Sequence, residues 1–317
     1  MILVLGASGF IGRAFVSELR RRGHPFLPLT KRAVDYTRFD FLFDYFRTMR
    51  PAFLVNAANY ELPARRPMEE AERQKMMAVN AILPQMLARV CLMTKTPWGH
   101  VSSGSVYCGA KVLEDGQPAF HLDLGGLEML ELFAAQPDKF HGFTEIDEAN
   151  VSFRNPSCDF YSGTKALAEE AIRNIGQSYI WRLRLPFNED EDPCNWIWRM
   201  QRDGETQDSI QSFSHLEDCV KACLDLWEMQ APFETYNVTN PGAITTGRVA
   251  REMHRVLRVP VRVRTGGNGA SQLGCILDSG KLLRTGVKLR PMEKALEDCL
   301  NRVRAVGQAV HGFKGAT

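Results

Sequence analysis

Long apolar runs are missing from this sequence. None approaches the ~18 consecutive apolar residues that a helix needs to cross a bilayer, so we expect no membrane partner. The apolar start, MILVLG, runs directly into a glycine turn, which is not the pattern of a signal peptide. We therefore expect a cytoplasmic protein.

A strong excess of charge of one sign is also missing. The 39 Lys and Arg residues nearly balance the 37 Asp and Glu residues, the formal net charge is +2, and the basic residues form no long run. Because binding to nucleic acids and to membrane surfaces usually depends on a strong positive field, we expect no nucleic-acid partner.

The spacing typical of metal ligands is absent as well, although the chain has eight cysteines. No two of them form a CxxC pair, and no histidine lies at ligand spacing beside them. We therefore predict no metal site, and free thiols in a reducing cytosol. The remaining composition, 44% hydrophobic and 24% charged residues, is that of an ordinary globular protein.

Short apolar strands alternate with amphipathic helices over the first part of the chain. Strands are predicted at 2–5, 24–29, 53–56, 98–102 and 178–185, and helices at 9–22, 39–50, 69–93 and 162–175. This alternation predicts an α/β fold, a Rossmann-type doubly wound parallel sheet. We expect residues 1–185 to form this domain, with an insertion at 112–150. Residues 186–317 are then a smaller C-terminal substrate-binding lobe, partly interleaved with the first.

A GxxGxxG motif follows the first predicted strand directly. Its first glycine permits a tight turn, the second lets backbone N–H groups approach a pyrophosphate, and the third lets the helix pack closely on the sheet. The amino end of the helix then faces the anion. The position between a strand and a helix is the context that the motif requires. We expect the turn to bind a dinucleotide through Gly6, Ser8, Gly9, Phe10, Ile11 and Gly12.

The end of the second strand indicates which dinucleotide binds. Sites selective for NAD usually carry Asp or Glu there, but this chain has Lys31 and Arg32. These cations, with Arg13 beside Gly12, are suited to a 2′-phosphate. We therefore predict NADP, with NAD as the alternative, and we place Asp35 and Tyr36 near the adenine ring.

A Tyr-x-x-x-Lys element begins the helix predicted after residue 160. Tyr161 and Lys165 are four residues apart and share one helix face. An ammonium group near a phenol stabilises the phenolate and lowers the tyrosine pKa. Such a tyrosine can give a proton to a carbonyl oxygen while hydride arrives at the carbon. Ser103, at the end of a strand, can hydrogen bond the same oxygen.

Together these motifs make the chain resemble the extended short-chain dehydrogenase/reductase family over nearly its whole length. The segment Asn56-Ala57-Ala58 matches the family's strand-four element, and Asn80 matches its helix asparagine. The resemblance implies that Tyr161 is the acid/base, that Lys165 orients the nicotinamide ribose and that Ser103 polarises the substrate carbonyl. It also implies further cofactor contacts by Ala57, Ala58, Asn59, Asn80, Tyr161 and Lys165.

Within the family, the pattern is similar to the dTDP-4-dehydrorhamnose reductases and the plant-type nucleotide-rhamnose epimerase/reductases. Four segments carry this similarity: Arg50-Pro51, RLRLPF at 182–187, YNVTNPG at 236–242 and LDSGKL at 277–282. The 4,6-dehydratases have Thr-Asp-Glu where this chain has Ser103-Gly104-Ser105, and 3,5-epimerising relatives have cysteine in place of Ser105. Because neither Gly104 nor Ser105 is an effective acid or base, we expect simple hydride chemistry.

Three functions stay open at this point. The first is an NAD(P)H-dependent reductase of a nucleotide-linked 4-keto sugar, with Tyr161 as proton donor. The second is a nucleotide-sugar 4-epimerase that holds NAD tightly. The third is a non-catalytic, cofactor-binding regulatory subunit, since a fold does not dictate a function; the intact Ser103, Tyr161 and Lys165 argue against it.

The substrate side of the site is less defined by the sequence. We place Ser105, Asn188 and Arg182 as possible contacts to a nucleotide-sugar substrate. Arg182 and Arg184 alternate on one strand, and either is suited to a substrate phosphate. The family's habit also suggests a homodimer.

Overall fold

The computed structural model describes residues 1–30, 32–62, 68–155, 158–265 and 274–314. Within these ranges the strands are β1 Ile2–Leu5, β2 Phe26–Leu29, β3 Phe53–Asn56, β4 Trp98–Ser103, β5 Ala110–Glu114, β6 Gln117–His121, β7 Phe140–His141, β8 Ser178–Leu183, β9 Pro186–Phe187, β10 Glu205–Gln207, β11 Ile210–Gln211, β12 Ser214–His215, β13 Thr235–Asn237, β14 Ile244–Thr245 and β15 Arg262–Arg264.

The α-helices of the described residues are α1 Phe10–Arg21, α2 Phe39–Met49, α3 Glu70–Met77, α4 Leu83–Thr94, α5 Leu127–Ala135, α6 Phe160–Ile172, α7 Trp196–Asp203, α8 Leu216–Glu228, α9 Thr246–Leu257, α10 Gly280–Arg284 and α11 Met292–Lys314. Short 3₁₀ turns lie at Gly104–Val106 and Pro137–Lys139.

A six-stranded parallel sheet in the order β13-β8-β4-β3-β1-β2 forms the centre of the fold. The chain winds outwards from β1 in both directions, so the strand order reverses between β1 and β3. In open α/β sheets, ligands bind at the carboxyl ends of the strands at such a reversal point. The predicted doubly wound α/β fold is therefore confirmed, and its crevice opens beside the glycine turn.

The strands and helices of this sheet follow from local sequence. All four residues of β1 are apolar and buried, as a central parallel strand requires. In α1, Phe15 and Leu19 are four residues apart and pack on one side of the sheet. The helix α6 begins because the Asp159 carboxylate accepts the backbone N–H of Ser162 at 2.9 Å.

The predicted long helix at 69–93 is divided by a π-helical turn at Ala78–Ile82. Glu70–Thr94 is the one stretch of the described residues that is long and apolar enough to cross a membrane, and half of its apolar window is buried inside the protein. Leu87 and Val90 are fully buried, and Leu87 shares a hydrophobic core with Leu3 of β1. Burial of this kind is typical of a core helix.

The second half of the chain contributes to the central sheet as well as to a smaller lobe. Its strand β13 pairs with β8 at the sheet edge, and its helix α8 shares one hydrophobic core with α1. A separate core lies around Phe187, α9 and α11. Residues from 216 to 238 thus pack with the amino-terminal part of the chain.

The insertion at 112–150 contains a small antiparallel sheet in the order β6-β5-β7, together with α5. Backbone bonds tie the insertion and the residues just before it to the second half of the chain. The Gly109 N–H donates to the Gly274 carbonyl at 2.7 Å, and the Phe143 N–H donates to the Ile276 carbonyl at 2.9 Å. The insertion is thus anchored to the second half of the chain.

Candidate active site

The glycine turn after β1 lies against the turn after β3. Gly6 has φ +79°, and a Cβ there would lie 2.6 Å from the backbone of Ala57 and Ala58. A Cβ on Gly12 would lie 1.9 Å from the Gly6 carbonyl oxygen. Contacts this short exclude any side chain, so both positions require glycine.

The amino end of α1 is left open to a ligand by its sequence. No side chain caps the helix at Gly9, and no acidic residue lies in its first turn. The free N–H groups and the helix dipole therefore attract an anion such as a pyrophosphate. Ser8, Phe10 and Ile11, predicted as cofactor contacts, lie in or directly after this turn.

The turn after β3 is held by its own backbone bonds. The Ala57 N–H donates to the Leu5 carbonyl at 2.9 Å, and the Ala58 N–H donates to the Asn56 side chain at 3.2 Å. Asn56 in turn contacts the buried His100 ring at 3.0 Å. Ala57, Ala58 and Asn59 are thereby fixed at the carboxyl edge of the sheet, beside the glycine turn.

The residues predicted to select the cofactor lie after β2. Lys31 lies outside the described residues, and Arg32 is in an exposed turn. Asp35 accepts the Thr37 backbone N–H at 3.1 Å, and Tyr36 packs against the core cluster that contains Leu29. Their contacts to a 2′-phosphate and to adenine stay predictions.

Arg13, predicted to join this phosphate site, is engaged in other contacts. Arg13 donates to the Ser8 carbonyl at 3.0 Å and forms an ion pair with Asp192 at 2.7 Å. Asp192 lies in the acidic loop 188–195, which Asn195 stabilises through three hydrogen bonds. Arg13 therefore connects the glycine turn to the second half of the chain.

The three predicted catalytic residues come together at the start of α6. The Tyr161 hydroxyl has hydrogen-bond partners in the side chains of Ser103 and Asn59. Lys165, one helical turn later, is 2% exposed, and its Nζ lies 5.7 Å from the centre of the Tyr161 ring. The same Nζ donates to the Val101 carbonyl at 3.4 Å.

The pKa shifts of Tyr161 and Lys165 differ from those expected from the sequence. Burial raises the pKa of Tyr161 and the nearby Glu61 carboxylate raises it further, while hydrogen bonds from Ser103 and Asn59 oppose the shift. Burial lowers the pKa of Lys165 to about 8, against the opposing effect of Glu61 and Glu169. The prediction that lysine sets a low tyrosine pKa is therefore wrong: desolvation dominates, and Tyr161 is a protonated donor.

Asn80, predicted from the resemblance, acts on the loop after β3. Its side chain accepts the Tyr60 N–H and donates to the Tyr60 carbonyl, both at 2.8 Å, and also lies 3.4 Å from the Thr164 hydroxyl. Asn80 lies in the π-helical turn, a feature often found at functional sites. It fixes the loop against the catalytic helix.

Glu61 is the residue of this site that sequence reasoning missed. It lies two positions after Asn59 and pairs at 3.8 Å with Arg199 of α7. Its charge acts on both Tyr161 and Lys165. The sequence offered one signal for Glu61, its position two residues after Asn59. Its nearness to α6 could not be predicted, because it arises only when the chain folds.

The prediction of Arg182 as a substrate contact is wrong. Arg182 is 0% exposed and binds the Glu169 carboxylate at 2.6 Å and the Tyr107 hydroxyl at 2.9 Å. Arg184, just after the end of β8, donates to Gln211 at 3.0 Å and lies beside Gly104. Of the two arginines, Arg184 is therefore the one that lies beside the residue following Ser103.

Of the other two predicted substrate contacts, Ser105 has a free hydroxyl, whereas Asn188 is already hydrogen bonded. The Ser105 hydroxyl is buried and has no hydrogen-bond partner, while its N–H donates to the Ser103 hydroxyl at 3.2 Å. An orphaned buried hydroxyl next to Ser103 is available to a ligand. Asn188 is engaged inside the acidic loop, where it bonds Asp190 at 2.9 and 3.0 Å.

One cluster among the described residues has the spacing of metal ligands: Glu189, His215 and Cys299. The Nδ1 atom of His215 lies 3.0 Å from the Arg290 guanidinium. Because guanidinium only donates, Nδ1 must accept, and the neutral ring carries its proton on Nε2, which faces Glu189. A ligating imidazole needs the opposite arrangement, so this cluster does not fit a metal.

Comparison with known families identifies the amino-terminal part of the chain. Residues 1–123 match the family model described as the RmlD substrate binding domain. The resemblance to dTDP-4-dehydrorhamnose reductases, within the extended short-chain dehydrogenases, is thereby confirmed.

Curated relatives match over part of their length. A trifunctional UDP-glucose 4,6-dehydratase/UDP-4-keto-6-deoxy-D-glucose 3,5-epimerase/UDP-4-keto-L-rhamnose-reductase of Arabidopsis thaliana is 23% identical over 80% of this chain and 33% of that protein. A bifunctional dTDP-4-dehydrorhamnose 3,5-epimerase/dTDP-4-dehydrorhamnose reductase of the same plant is 30% identical over 36% of each chain. The chain thus spans about a third of the length of these relatives.

Solved structures match over almost the whole chain. A UDP-rhamnose synthase from Acanthamoeba polyphaga mimivirus has a TM-score of 0.77 at 14% identity, covering 95% of this chain and 98% of its own. A dTDP-4-dehydrorhamnose reductase from Bacillus anthracis, in complex with NADP, has a TM-score of 0.71 at 19% identity, covering 94% and 97%. At these identities the likeness shows the fold.

Proposed function

We propose that the protein is an NADPH-dependent reductase that converts the keto group of a nucleotide-linked 4-keto sugar to a hydroxyl. One observation carries the proposal: the Tyr161 hydroxyl, Ser103 and Lys165 lie together at the carboxyl edge of a sheet whose reversal point carries the glycine turn. The names of the relatives, which include reductases of two nucleotide-linked keto-rhamnoses, support the substrate class.

The residues present fit a dinucleotide. The glycine turn offers free N–H groups at the start of α1. The backbone approaches itself so closely at Gly6 and Gly12 that neither position has room for a Cβ. Ala57, Ala58 and Asn59 form the facing wall, and Lys165 lies at the nicotinamide end. NADP is favoured over NAD because no carboxylate ends β2, where Thr30 and Arg32 lie instead. The similar Bacillus anthracis structure contains NADP.

The cofactor supplies the hydride for the keto carbon when it is bound. Tyr161 holds its proton tightly because it is buried beside Glu61, so it is in the donor form. The developing negative charge on the carbonyl oxygen lowers the cost of releasing that proton. Ser103 donates a second hydrogen bond to the same oxygen. The chain's own residues therefore supply the acid and the polarising group.

On the substrate side, Arg184 and Ser105 are the candidate contacts. Arg184 lies beside Gly104, the residue after Ser103, and a guanidinium can bind a diphosphate with two hydrogen bonds. The orphaned Ser105 hydroxyl lies within two residues of Ser103 and can bind a sugar hydroxyl. Asn188, in the acidic loop, stays a candidate for a substrate contact. The homodimer expected from the resemblance also stays a prediction.

The test is direct. Purified protein is incubated with NADPH and either dTDP-4-dehydrorhamnose or UDP-4-keto-L-rhamnose, and the consumption of NADPH is followed. The proposal predicts stoichiometric oxidation of NADPH and reduction of the sugar. Interconversion of sugar nucleotides without net consumption of NADPH would instead indicate an epimerase. Cofactor binding without turnover of either substrate would contradict both.

A further inference from the structure

His100 lies inside the central sheet, on β4, and pairs there with Asn56 of β3. Both side chains are 0% exposed. The Nδ1 atom of the His100 ring lies 3.0 Å from the Nδ2 atom of Asn56. The two residues therefore form a buried polar contact between neighbouring strands, directly before the turn at 57–59 that faces the glycine turn.

The direction of this hydrogen bond is set by the backbone. The Ala58 N–H can only donate, and it donates to Oδ1 of Asn56 at 3.2 Å. The other end of the amide, Nδ2, therefore faces His100 and donates to it. Nδ1 of His100 must accept this bond, so the neutral ring carries its proton on Nε2.

The surroundings of His100 keep its ring neutral. Burial lowers the pKa of His100 well below its ordinary value, and the positive charge of Lys165 lowers it further. A proton on Nδ1 would also set two donors against each other at the contact with Asn56. The ring is thus an acceptor for Asn56 around neutral pH.

Stability alone does not explain a histidine at this position. With Nδ1 accepting, the N–H group at Nε2 is buried, and it has no hydrogen-bond partner among the described residues. A buried donor without a partner is destabilising. What the ring supplies in return is an acceptor at the place where the Asn56 amide requires one.

The orientation of the Asn56 amide controls the turn that follows it. The backbone of Ala57 and Ala58 lies so close to Gly6 that a Cβ on Gly6 would be 2.6 Å away. Asn59, the next residue of the turn, bonds the Tyr161 hydroxyl through its side chain. If the amide rotated by half a turn, Nδ2 would face the Ala58 N–H, and the bond that holds Ala58 would be lost.

We propose that His100 is a positioning residue for the cofactor site, an inference that rests on the dinucleotide site of the proposed reductase. Through Nδ1 it fixes the amide of Asn56. Through Asn56 it holds Ala58 and Asn59 in place beside the glycine turn and Tyr161. His100 contributes no proton to the reaction.

Two substitutions of His100 separate this role from packing. In His100→Asn, Oδ1 takes nearly the position of Nδ1, because both atoms are attached to Cγ, and the acceptor is kept. His100→Leu fills the space with an apolar side chain and removes the acceptor. Circular dichroism identifies a temperature at which both variants are folded, and binding is compared there.

The Kd for NADPH is measured by fluorescence titration without substrate. His100→Leu should raise the Kd about tenfold, the usual contribution of one buried hydrogen bond. His100→Asn should stay within about threefold of the wild type, because its acceptor still fixes Asn56. With a 4-keto sugar nucleotide as substrate, kcat should follow the same order, since Asn59 positions Tyr161.

A double-variant cycle tests the path through Asn56. Asn56→Ala removes the acceptor of the Ala58 N–H itself, so it should raise the Kd about as much as His100→Leu. Adding His100→Leu to Asn56→Ala should change the Kd by less than about twofold, since no amide is left to position. If His100 acted by packing alone, the two effects would multiply.

A third measurement depends on neither binding nor activity. In protein labelled with ¹⁵N in the histidine rings, long-range ¹H–¹⁵N spectra show which ring nitrogen carries the proton. The signals that are missing from His100→Asn identify those of His100. The proposal predicts a neutral ring that is protonated at Nε2 around neutral pH.

The outcomes separate this role of His100 from the proposed function. A wild type that binds neither NADPH nor NADP⁺ overturns the function and the positioning role together. A wild type that binds NADPH no better than His100→Leu overturns the positioning role alone. So does equal impairment of His100→Asn and His100→Leu, multiplication of the two effects in the double variant, or a His100 ring protonated at Nδ1.

Discussion

Nη2 of Arg182 lies 2.6 Å from Oε2 of Glu169, with side chains that are 0% and 3% exposed. The pair joins β8 to α6, the helix that carries Tyr161 and Lys165. The Ser102 hydroxyl, next to Ser103, also donates to Glu169 at 2.6 Å. One buried carboxylate thus fixes the strand end and the helix that together form the catalytic group.

Arg182→Met leaves the Glu169 carboxylate buried without its partner. The loss of one member of a buried ion pair costs about 3–5 kcal/mol of stability, because the remaining charge is uncompensated. We expect a decrease of this size in the free energy of unfolding, measured with denaturant. The double variant Arg182→Met/Glu169→Leu should recover much of the loss, and an equal or greater loss in the double variant would contradict this explanation.

The sequence predicted the glycine turn and the catalytic residues because each depends on a short, local pattern of residues. The strand β1, the glycine turn and the Tyr161–Lys165 pair on α6 each depend on residues a few positions apart. Their convergence follows from the rule that ligands bind at the carboxyl ends of parallel strands.

Contacts between distant segments could not be predicted in the same way. Arg182 and Arg184 are equivalent in the sequence pattern, but only the packing of α6 shows that Arg182 is the buried one. The ion pairs Glu61–Arg199 and Arg13–Asp192 join residues more than a hundred positions apart. The pKa of Tyr161 depends on burial, which no spacing of residues reveals.

Gly12→Ala tests the close approach in the glycine turn. The new Cβ would lie 1.9 Å from the Gly6 carbonyl oxygen, a backbone atom that cannot easily move. We expect destabilisation by about 1–3 kcal/mol, as for other overpacked sites, and weaker binding of NADPH measured by calorimetry. Gly126→Ala is the control, since the nearest atom to its Cβ would be 3.6 Å away. Equal NADPH affinity in both variants would contradict a role of the turn in binding.

Asp192→Asn should strengthen the binding of NADPH. The substitution removes a negative charge near the glycine turn and releases Arg13 from its ion pair. Exposed pairs are worth about 0.2–1 kcal/mol, so we expect a two- to fivefold lower Kd, roughly the equivalent of that energy. Asp190→Asn removes the same charge from the same loop without touching Arg13, and it should have a smaller effect. A weaker affinity in Asp192→Asn would show that the ion pair helps to form the site.

Stability should depend on pH through Lys165. Its pKa is lowered from 10.5 to about 8 by burial, so between these values the unfolded chain holds a proton that the folded chain has lost. The contribution of Lys165 to the free energy of unfolding therefore rises with pH across this interval. Lys165→Met removes the effect: its gain over wild type should be largest below pH of about 8 and shrink towards 10.5. Denaturant unfolding at several pH values measures this, with exposed Lys288→Met as control.

Tyr161→Phe removes the proposed proton donor and little else. We expect kcat to fall roughly 100- to 10,000-fold, the usual contribution of a positioned acid, while the Kd for NADPH stays within about twofold. Steady-state kinetics and fluorescence titration measure the two quantities. Turnover at the wild-type rate would remove Tyr161 from the reaction.

The most direct measurement uses NADPH that carries deuterium at the transferred position, together with a nucleotide-linked 4-keto sugar. After incubation, the product is analysed by mass spectrometry and NMR. The account predicts that the wild type forms a product with one deuterium at the former keto carbon. Tyr161→Phe should form the same product at a greatly reduced rate. A product without deuterium, formed while NADPH is not consumed, would contradict it.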